Sequence, residues 1–282
     1  MKLDRDEYDR IKEIVYKKTG LALKGDKRDF VSRRVANRMG STDIQSVKDY
    51  YRYLVFDPEG HELSELINLI VIGETYFFRE FELLRLFGED ILPMIVEKKK
   101  KAGQKKIKIV SAGCATGEEP YTLAIILKEL IEQPDQWEIR IEGIDINQEF
   151  VNKARKGQYT DHALRDTPYV YRDKYFQKEK DVYAICPEIK DMVSISACNL
   201  YERTQMSRLF GYDVVFCRNV LIYFDRKSAA IVFENLYRSM NPGGYIFSGL
   251  AESIGRMTSL FTMERFKKLF VYKKYWPEII IY

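Results

Sequence analysis

The stretch from Ile107 to Tyr121 constrains this chain more than any other. Ile107, Ile109 and Val110 read as a short buried strand. Small residues follow from Ser111 to Ala115, then Thr116 and Gly117. After Pro120 an apolar helical run begins, with Leu123, Ala124, Ile126, Leu127 and Leu130. Strand, glycine turn and helix in that order form the opening unit of a doubly wound α/β sheet. Small side chains such as Gly113 let a ligand approach the backbone closely. A phosphate-binding loop leaves the helix N-terminus free for an anion. Here Glu118 and Glu119 fill it with negative charge, which disfavours phosphate and favours a cationic or hydroxyl-rich ligand. The spacing also departs from G-x-G-x-x-G and lacks the Gly-Lys-Ser/Thr of a P-loop. An ordinary strand-to-helix turn is the alternative reading.

With 282 residues, 46% of them hydrophobic, the chain has enough length and apolar content for two packed domains. No run of 18 apolar residues occurs, so no membrane insertion is expected. Met1 to Asp6 carry no apolar segment of signal type. The four cysteines, Cys114, Cys186, Cys198 and Cys217, form no C-x-x-C pair, and only two histidines accompany them, so no metal site is expected. Reduced thiols fit a cytoplasmic location. A net charge of +4 gives no reason to expect nucleic acid.

Residues 1–72 read as a small all-α domain. Tyr8, Ile11, Ile14 and Val15 form one apolar helix face, stopped at Gly20. Phe30, Val31, Val35 and Met39 mark a second helix ending near Gly40. Ser41 or Thr42 is placed to open a third, with Val47, Tyr50, Tyr51 and Leu54. After the turn at Asp57 to Gly60, Leu63, Leu66, Ile67, Ile70 and Val71 make a fourth. Basic residues cluster between Lys17 and Arg38, including Arg28, Arg33, Arg34 and Arg38. They are either a solvated face or a docking surface for an acidic partner.

Residues 73–104 read as a linker and a linking helix. Gly73, Glu74, Thr75, Tyr76, Phe77, Phe78 and Arg79 either pack the junction between domains or wall a ligand site with Arg79 as its charged group. Lys98 to Lys101 read as a solvated helix end.

Residues 105–274 read as the α/β domain. A second strand closes at Asp145, where an acid can take both hydroxyls of a ribose. Asn199 and Leu200 follow a strand at Met192 to Ser196, on the same ligand edge. Tyr159 to Tyr183 is poorly periodic. Tyr212 to Cys217 is a continuous apolar strand of central parallel type, followed by Arg218, Asn219 and Tyr223. Asn241 to Gly244 read as a helix stop before a strand at Tyr245. Phe270 to Tyr272 read as a final edge strand. No role is assigned to the apolar tail, 275–282.

The segments Glu74 to Arg79, Ser111 to Tyr121, Asp145-Ile146 and Phe216 to Asp225 occur together in an order that resembles the chemotaxis receptor methyltransferases. With the helical N-terminal part, the resemblance covers nearly the whole chain. It implies a Rossmann-like S-adenosylmethionine-dependent methyltransferase domain preceded by a small all-α domain. It implies esterification of glutamates on the cytoplasmic helical domain of bacterial chemoreceptors, with S-adenosylhomocysteine as product. By the same resemblance Thr75 and Arg79 touch the methionine end of the cofactor. Glu119, rather than Glu118, lies near its amino group, and Asp145 takes the ribose. Asn199 and Leu200 line the adenine, Gly113, Arg218 and Asn219 complete the pocket, and Arg79 and Tyr223 flank the methyl group. Gly73 stands where the family usually has Asn, and Asn147 replaces a frequent Asp. Tyr175 to Asp191 lacks the glycine-bearing hairpin with which some members hold a receptor peptide.

The chemistry is consistent with this resemblance. A glutamate with a pKa of about 4.3 is already a nucleophile at neutral pH, so no general base is required. Arg79 would steer it and Tyr223 hold it. A monomer acting in the cytoplasm is expected. Two alternatives stay open. One is a methyltransferase for another acceptor, although no Asp/Asn-Pro-Pro-Tyr/Phe run follows the fourth strand. The other is a non-catalytic module that senses the cofactor or docks a receptor.

Overall fold

The computed structural model describes residues 1–252 and 254–275. Four helices come first: α1 (Arg5–Thr19), α2 (Arg28–Ser41), α3 (Val47–Phe56) and α4 (His61–Ile70). Their ends have local causes. Asp4 and Glu7 cap α1 reciprocally. Gly20 stops α1 in the left-handed conformation, and its N–H reaches the Tyr16 carbonyl at 2.7 Å. Ser46 caps α3 by accepting from the Asp49 N–H, whereas Ser41 closes α2 and Thr42 bonds back to Arg38. The third helix therefore opens later than the serine and threonine at 41 and 42 suggest. Ile11, Val15, Val31, Val35 and Leu66 meet in one sealed core.

The segment 71–80 leads into a long arm: α5 (Phe81–Leu86), a π-turn (Phe87–Ile91) and α6 (Leu92–Lys101). The lysine run at its end is not uniformly solvated. Lys99 Nζ lies 2.7 Å from Asp213 Oδ1, and both side chains are mostly buried.

The rest of the chain alternates strand and helix. It runs β1 (Lys106–Ala112), α7 (Glu118–Leu130), β2 (Glu138–Asp145), α8 (Gln148–Lys156), β3 (Gln158–Tyr159), α9 (Tyr169–Tyr175), β4 (Phe176–Glu179) and β5 (Val182–Ile185). It continues α10 (Pro187–Lys190), β6 (Val193–Ala197), α11 (Arg203–Met206), β7 (Tyr212–Cys217), α12 (Arg226–Ser239), β8 (Met240–Ser248), β9 (Phe261–Phe266) and β10 (Leu269–Lys274).

The main sheet has the order β6-β2-β1-β7-β8-β10-β9. The first five are parallel, and β10 pairs antiparallel with both β8 and β9. The chain reverses its direction of travel across the sheet between β1 and β7. That topological switch opens a crevice at the carboxyl ends of the strands. Every residue of β7 is buried, as its unbroken apolar pattern requires. Phe77, Phe87, Leu123 and Phe216 fill one face of the sheet; Val215, Val232, Phe233 and Ile246 fill the other.

Two expectations are corrected here. Phe270 to Tyr272 lie in β10, which is not an edge; β9 takes the edge, and its alternation of Thr262 and Glu264 with Phe261 and Met263 went unread. α12 ends earlier, at Ser239, and Asn241 to Gly244, read as a helix stop, form an irregular part of β8, where the pairing to β7 shifts register. The stretch Tyr175 to Asp191 has no glycine, in keeping with the expected lack of a glycine-bearing hairpin, yet it forms a hairpin, β4–β5, in a small sheet of order β3-β5-β4. Its turn uses Lys180 at φ 55° in place of a glycine. The tail beyond Tyr275 lies outside the described residues.

Candidate active site

A single cleft gathers Gly73, Thr75, Arg79, Gly113, Glu119, Asp145, Asn199, Leu200, Arg218, Asn219 and Tyr223. It holds about 1320 Å³ of empty space, open solvent at its entrance included. It sits where β1, β2, β6 and β7 end, as the switch point dictates.

Asp145 ends β2 with its carboxylate buried. Oδ2 accepts from the Ala115 N–H at 2.8 Å and Oδ1 from the Asn147 N–H at 2.9 Å. Burial pushes its pKa up, against these backbone bonds. Each oxygen keeps a lone pair for a hydroxyl. Gly113 turns the chain at φ 76°, and a Cβ there would lie 2.4 Å from Val220 Cγ2. No side chain fits between the glycine turn and the β7 loop.

The two acids at the start of α7 separate. Glu118 is buried, accepts from Thr116 Oγ1 at 2.7 Å, and is pushed up to about 7 by desolvation. It does not line the cleft. Glu119 does, accepting from Ser111 Oγ at 2.7 Å and Arg218 Nη1 at 2.9 Å. The two therefore do not jointly load the helix end with charge. Arg218 also bonds the Arg79 carbonyl and Glu80 Oε2. Its Nε is buried with no partner among the described residues. The guanidinium thus ties the end of β7 to Glu119 and to the Arg79–Glu80 segment.

Asn199 reaches both domains: its Nδ2 donates to the Lys18 carbonyl at 2.8 Å and its Oδ1 accepts from the Tyr201 N–H at 3.0 Å. Asn219 stands at φ 60°, and its N–H donates to Glu252 Oε2 at 2.9 Å. Glu252 also takes the N–H groups of Gly249 and Ile222 and so fixes the loop before Tyr223. Phe78, Glu80 and Ala115 are left-handed too. Three strained non-glycine residues, Phe78, Ala115 and Asn219, thus line one cleft, and Glu80 follows Arg79 at its wall.

The aromatic segment divides. Phe77 and Phe78 pack the core, Phe77 edge-on to Tyr159 and Phe176 at 4.8 Å. Tyr76 faces the cleft between Arg165 and Arg79, whose guanidinium carbons lie 3.7 and 5.7 Å from its ring centre. Arg79 Nη1 donates to the Glu74 carbonyl at 2.6 Å, and among the described residues it has no carboxylate partner. Burial raises the Tyr223 pKa and the nearby Arg79 charge opposes it, so the phenol stays protonated.

Sequence reasoning missed the roof. Thr19, Leu21, Ala22 and Leu23, from the loop after α1, line the cleft. Leu21 bridges Phe224, the Ala22 N–H donates to the Tyr223 carbonyl at 2.8 Å, and Lys24 Nζ donates to the Ile222 carbonyl at 3.1 Å. Contacts so distant along the chain leave no local pattern. Glu80 and Glu252 were also missed.

Of the four arginines read as a docking face, Arg33 is exposed and Arg28 half-buried. Arg34 stacks on Phe30 at 4.1 Å and donates to the Leu69 carbonyl. Arg38 turns inward, its Nε and Nη2 gripping both oxygens of buried Glu62 at 2.9 and 2.7 Å. Its charge is spent inside the domain.

Comparison with known proteins agrees with this architecture. Residues 73–270 match the family model described as "CheR methyltransferase, SAM binding domain", and residues 6–71 match "CheR methyltransferase, all-alpha domain". The chain is 36% identical over 269 residues to chemotaxis protein methyltransferase 2 of Vibrio cholerae, covering 95% of this chain and 92% of that one. It is 32% identical over 255 residues to the chemotaxis protein methyltransferase of Borreliella burgdorferi, covering 89% of each. The Escherichia coli protein of that name is 27% identical over 259 residues, 90% of this chain and 86% of its own. The cleft at the switch point, the helical roof and these matches lead to one statement: the chain belongs to the CheR methyltransferase family and is an S-adenosylmethionine-dependent methyltransferase.

Proposed function

We propose that this chain methylates glutamate side chains on the helical cytoplasmic domain of a chemoreceptor, giving glutamate methyl esters and S-adenosylhomocysteine. The observation that carries the reading is the convergence on one cleft of Asp145, a guanidinium with no carboxylate partner among the described residues (Arg79), and the protonated phenol of Tyr223. Bound S-adenosylmethionine supplies an electrophilic methyl group. Asp145 takes the ribose hydroxyls, Leu200 and the backbone beside Asn199 flank the base, and Gly113 gives it room. Glu119 and Arg218, with Thr75 and Asn219, hold the amino-acid end, and the Gly73 backbone lines the wall there.

The acceptor glutamate needs no base. One carboxylate oxygen bonds the methyl carbon as the carbon–sulfur bond breaks; the electron pair stays on sulfur and no proton moves. Arg79 steers the carboxylate, and Tyr223 donates a hydrogen bond to it. Opposite charges cancel as the reaction proceeds, so alignment and exclusion of water supply most of the acceleration.

In this reading residues 1–72 dock the receptor through the α2 face, with Arg33 and Arg28 available and Arg34 and Arg38 supporting them from within. Residues 73–104 link, and 105–274 carry out transfer. A cytoplasmic monomer suffices, because every group comes from one chain. Among the described residues no helix is long and apolar enough to cross a membrane.

The test is incubation with methyl-labelled cofactor and isolated receptor cytoplasmic fragments. Base-labile label on glutamate supports the reading. Label on a small molecule or on nucleic acid, with none on the receptor, refutes it.

A further inference from the structure

The strand that delivers Asp145 ends against the helical domain. Ile146 packs on the four-helix core. Asn147 is 0% exposed and caps α8, its Oδ1 accepting from the Glu149 and Phe150 N–H groups at 2.9 and 3.1 Å. Its Nδ2 donates to the carbonyl of Asn68, in the last turn of α4, at 2.9 Å. Its backbone N–H holds Asp145 Oδ1. Asn68 completes the exchange, its Oδ1 accepting from the Gln148 N–H at 3.1 Å. Gly73 finishes the seam: a Cβ there would lie 2.4 Å from the Phe150 ring.

The side chain at 147 must accept at the cap and donate across the seam. An amide does both. A carboxylate caps equally well but has no proton for the Asn68 carbonyl, and the two oxygens would face each other.

We propose that Asn147, with Asn68, is a positioning residue that fixes the Asp145 carboxylate to the seat of the helical domain, so that nucleoside affinity depends on that domain being seated. The inference rests on Asp145 being the ribose ligand. Linkage makes the effect reciprocal: a partner that shifts the helical domain changes cofactor affinity, and the cofactor changes affinity for the partner.

Calorimetry with S-adenosylhomocysteine on the full chain tests it. Asn147→Asp keeps the cap and deletes the donor. Asn147→Ser keeps a capping oxygen, adds no charge and is too short to reach the Asn68 carbonyl. Asn152→Asp places the same charge on the exposed side of α8. Affinity should fall about tenfold or more in Asn147→Asp, severalfold in Asn147→Ser and not at all in Asn152→Asp, with each titration well below that variant's Tm. A purely structural role would lower Tm and leave the affinity of folded protein intact. Wild-type affinity in Asn147→Ser overturns the proposal even if Asn147→Asp fails to fold. Abolished binding in Asp145→Ala in the same experiment would leave the ribose assignment standing. Normal binding by Asp145→Ala overturns both.

Discussion

Arg218 Nη1 lies 2.9 Å from Glu119 Oε2, and the arginine side chain is 2% exposed. Through the same guanidinium the end of β7 is tied to the start of α7 and to the Arg79–Glu80 segment. Removing one partner of a buried pair strands the other charge, at a cost of about 3–5 kcal/mol. Arg218→Met should therefore lower stability by an amount of that order and abolish S-adenosylhomocysteine binding. Denaturant unfolding and calorimetry measure the two effects; a loss under about 1 kcal/mol would show that Glu119 and Glu80 find water instead.

Gly73 and Phe150 form a steric pair. Gly73→Ala should destabilise by about 1–3 kcal/mol, as overpacking does. Phe150→Leu should relieve most of that penalty, giving a double-mutant coupling of the same size and opposite sign. Additive effects would mean that the backbone at 73 simply moves aside.

The arginines of α2 should separate experimentally. Arg38→Glu sets a new carboxylate against buried Glu62, which also accepts from Tyr50 Oη at 2.7 Å, and should unfold the helical domain in thermal melts. Arg33→Glu lies on the surface and should leave Tm within about 2 °C, since surface changes cost under about 0.5 kcal/mol. On the docking reading it should still slow receptor methylation severalfold without altering cofactor affinity. Equal melting losses in both variants would contradict the geometry.

Glu118 should make stability depend on pH. Burial raises its folded-state pKa from 4.5 to about 7. The folded state therefore holds the proton more tightly than the unfolded chain. The resulting stabilisation is full below about pH 4.5 and is lost as pH rises through about 7. Glu118→Gln keeps the shape without the titration. It should match wild type near pH 5 and exceed it near pH 8 by about 1–3 kcal/mol in denaturant unfolding. A constant difference across that range would exclude Glu118 as the titrating group.

The parallel half of the sheet was legible because burial on both faces forces continuous apolar runs, as in Tyr212 to Cys217, and because Gly113 and Gly117 punctuate β1 and α7. β9 was not, since its apolar Met263 is exposed while the polar Thr262 and Glu264 are half-buried, so the pattern does not report burial. The β4–β5 turn escaped notice because Lys180 adopts a conformation usually left to glycine. Lys99 and Arg38 read as surface charge because their partners, Asp213 and Glu62, are distant in sequence. The cleft's floor followed from motifs at strand ends; its roof, from Thr19 to Leu23, depends on tertiary contacts that no local spacing encodes.

The hydrogen bond from the Ala22 N–H to the Tyr223 carbonyl involves no side chain. Alanine scanning is therefore blind to it, and position 22 is already alanine. Proline at 22 deletes that donor. A backbone scan of the α1–α2 loop is the way to learn how far that loop sets the position of the Tyr223 phenol.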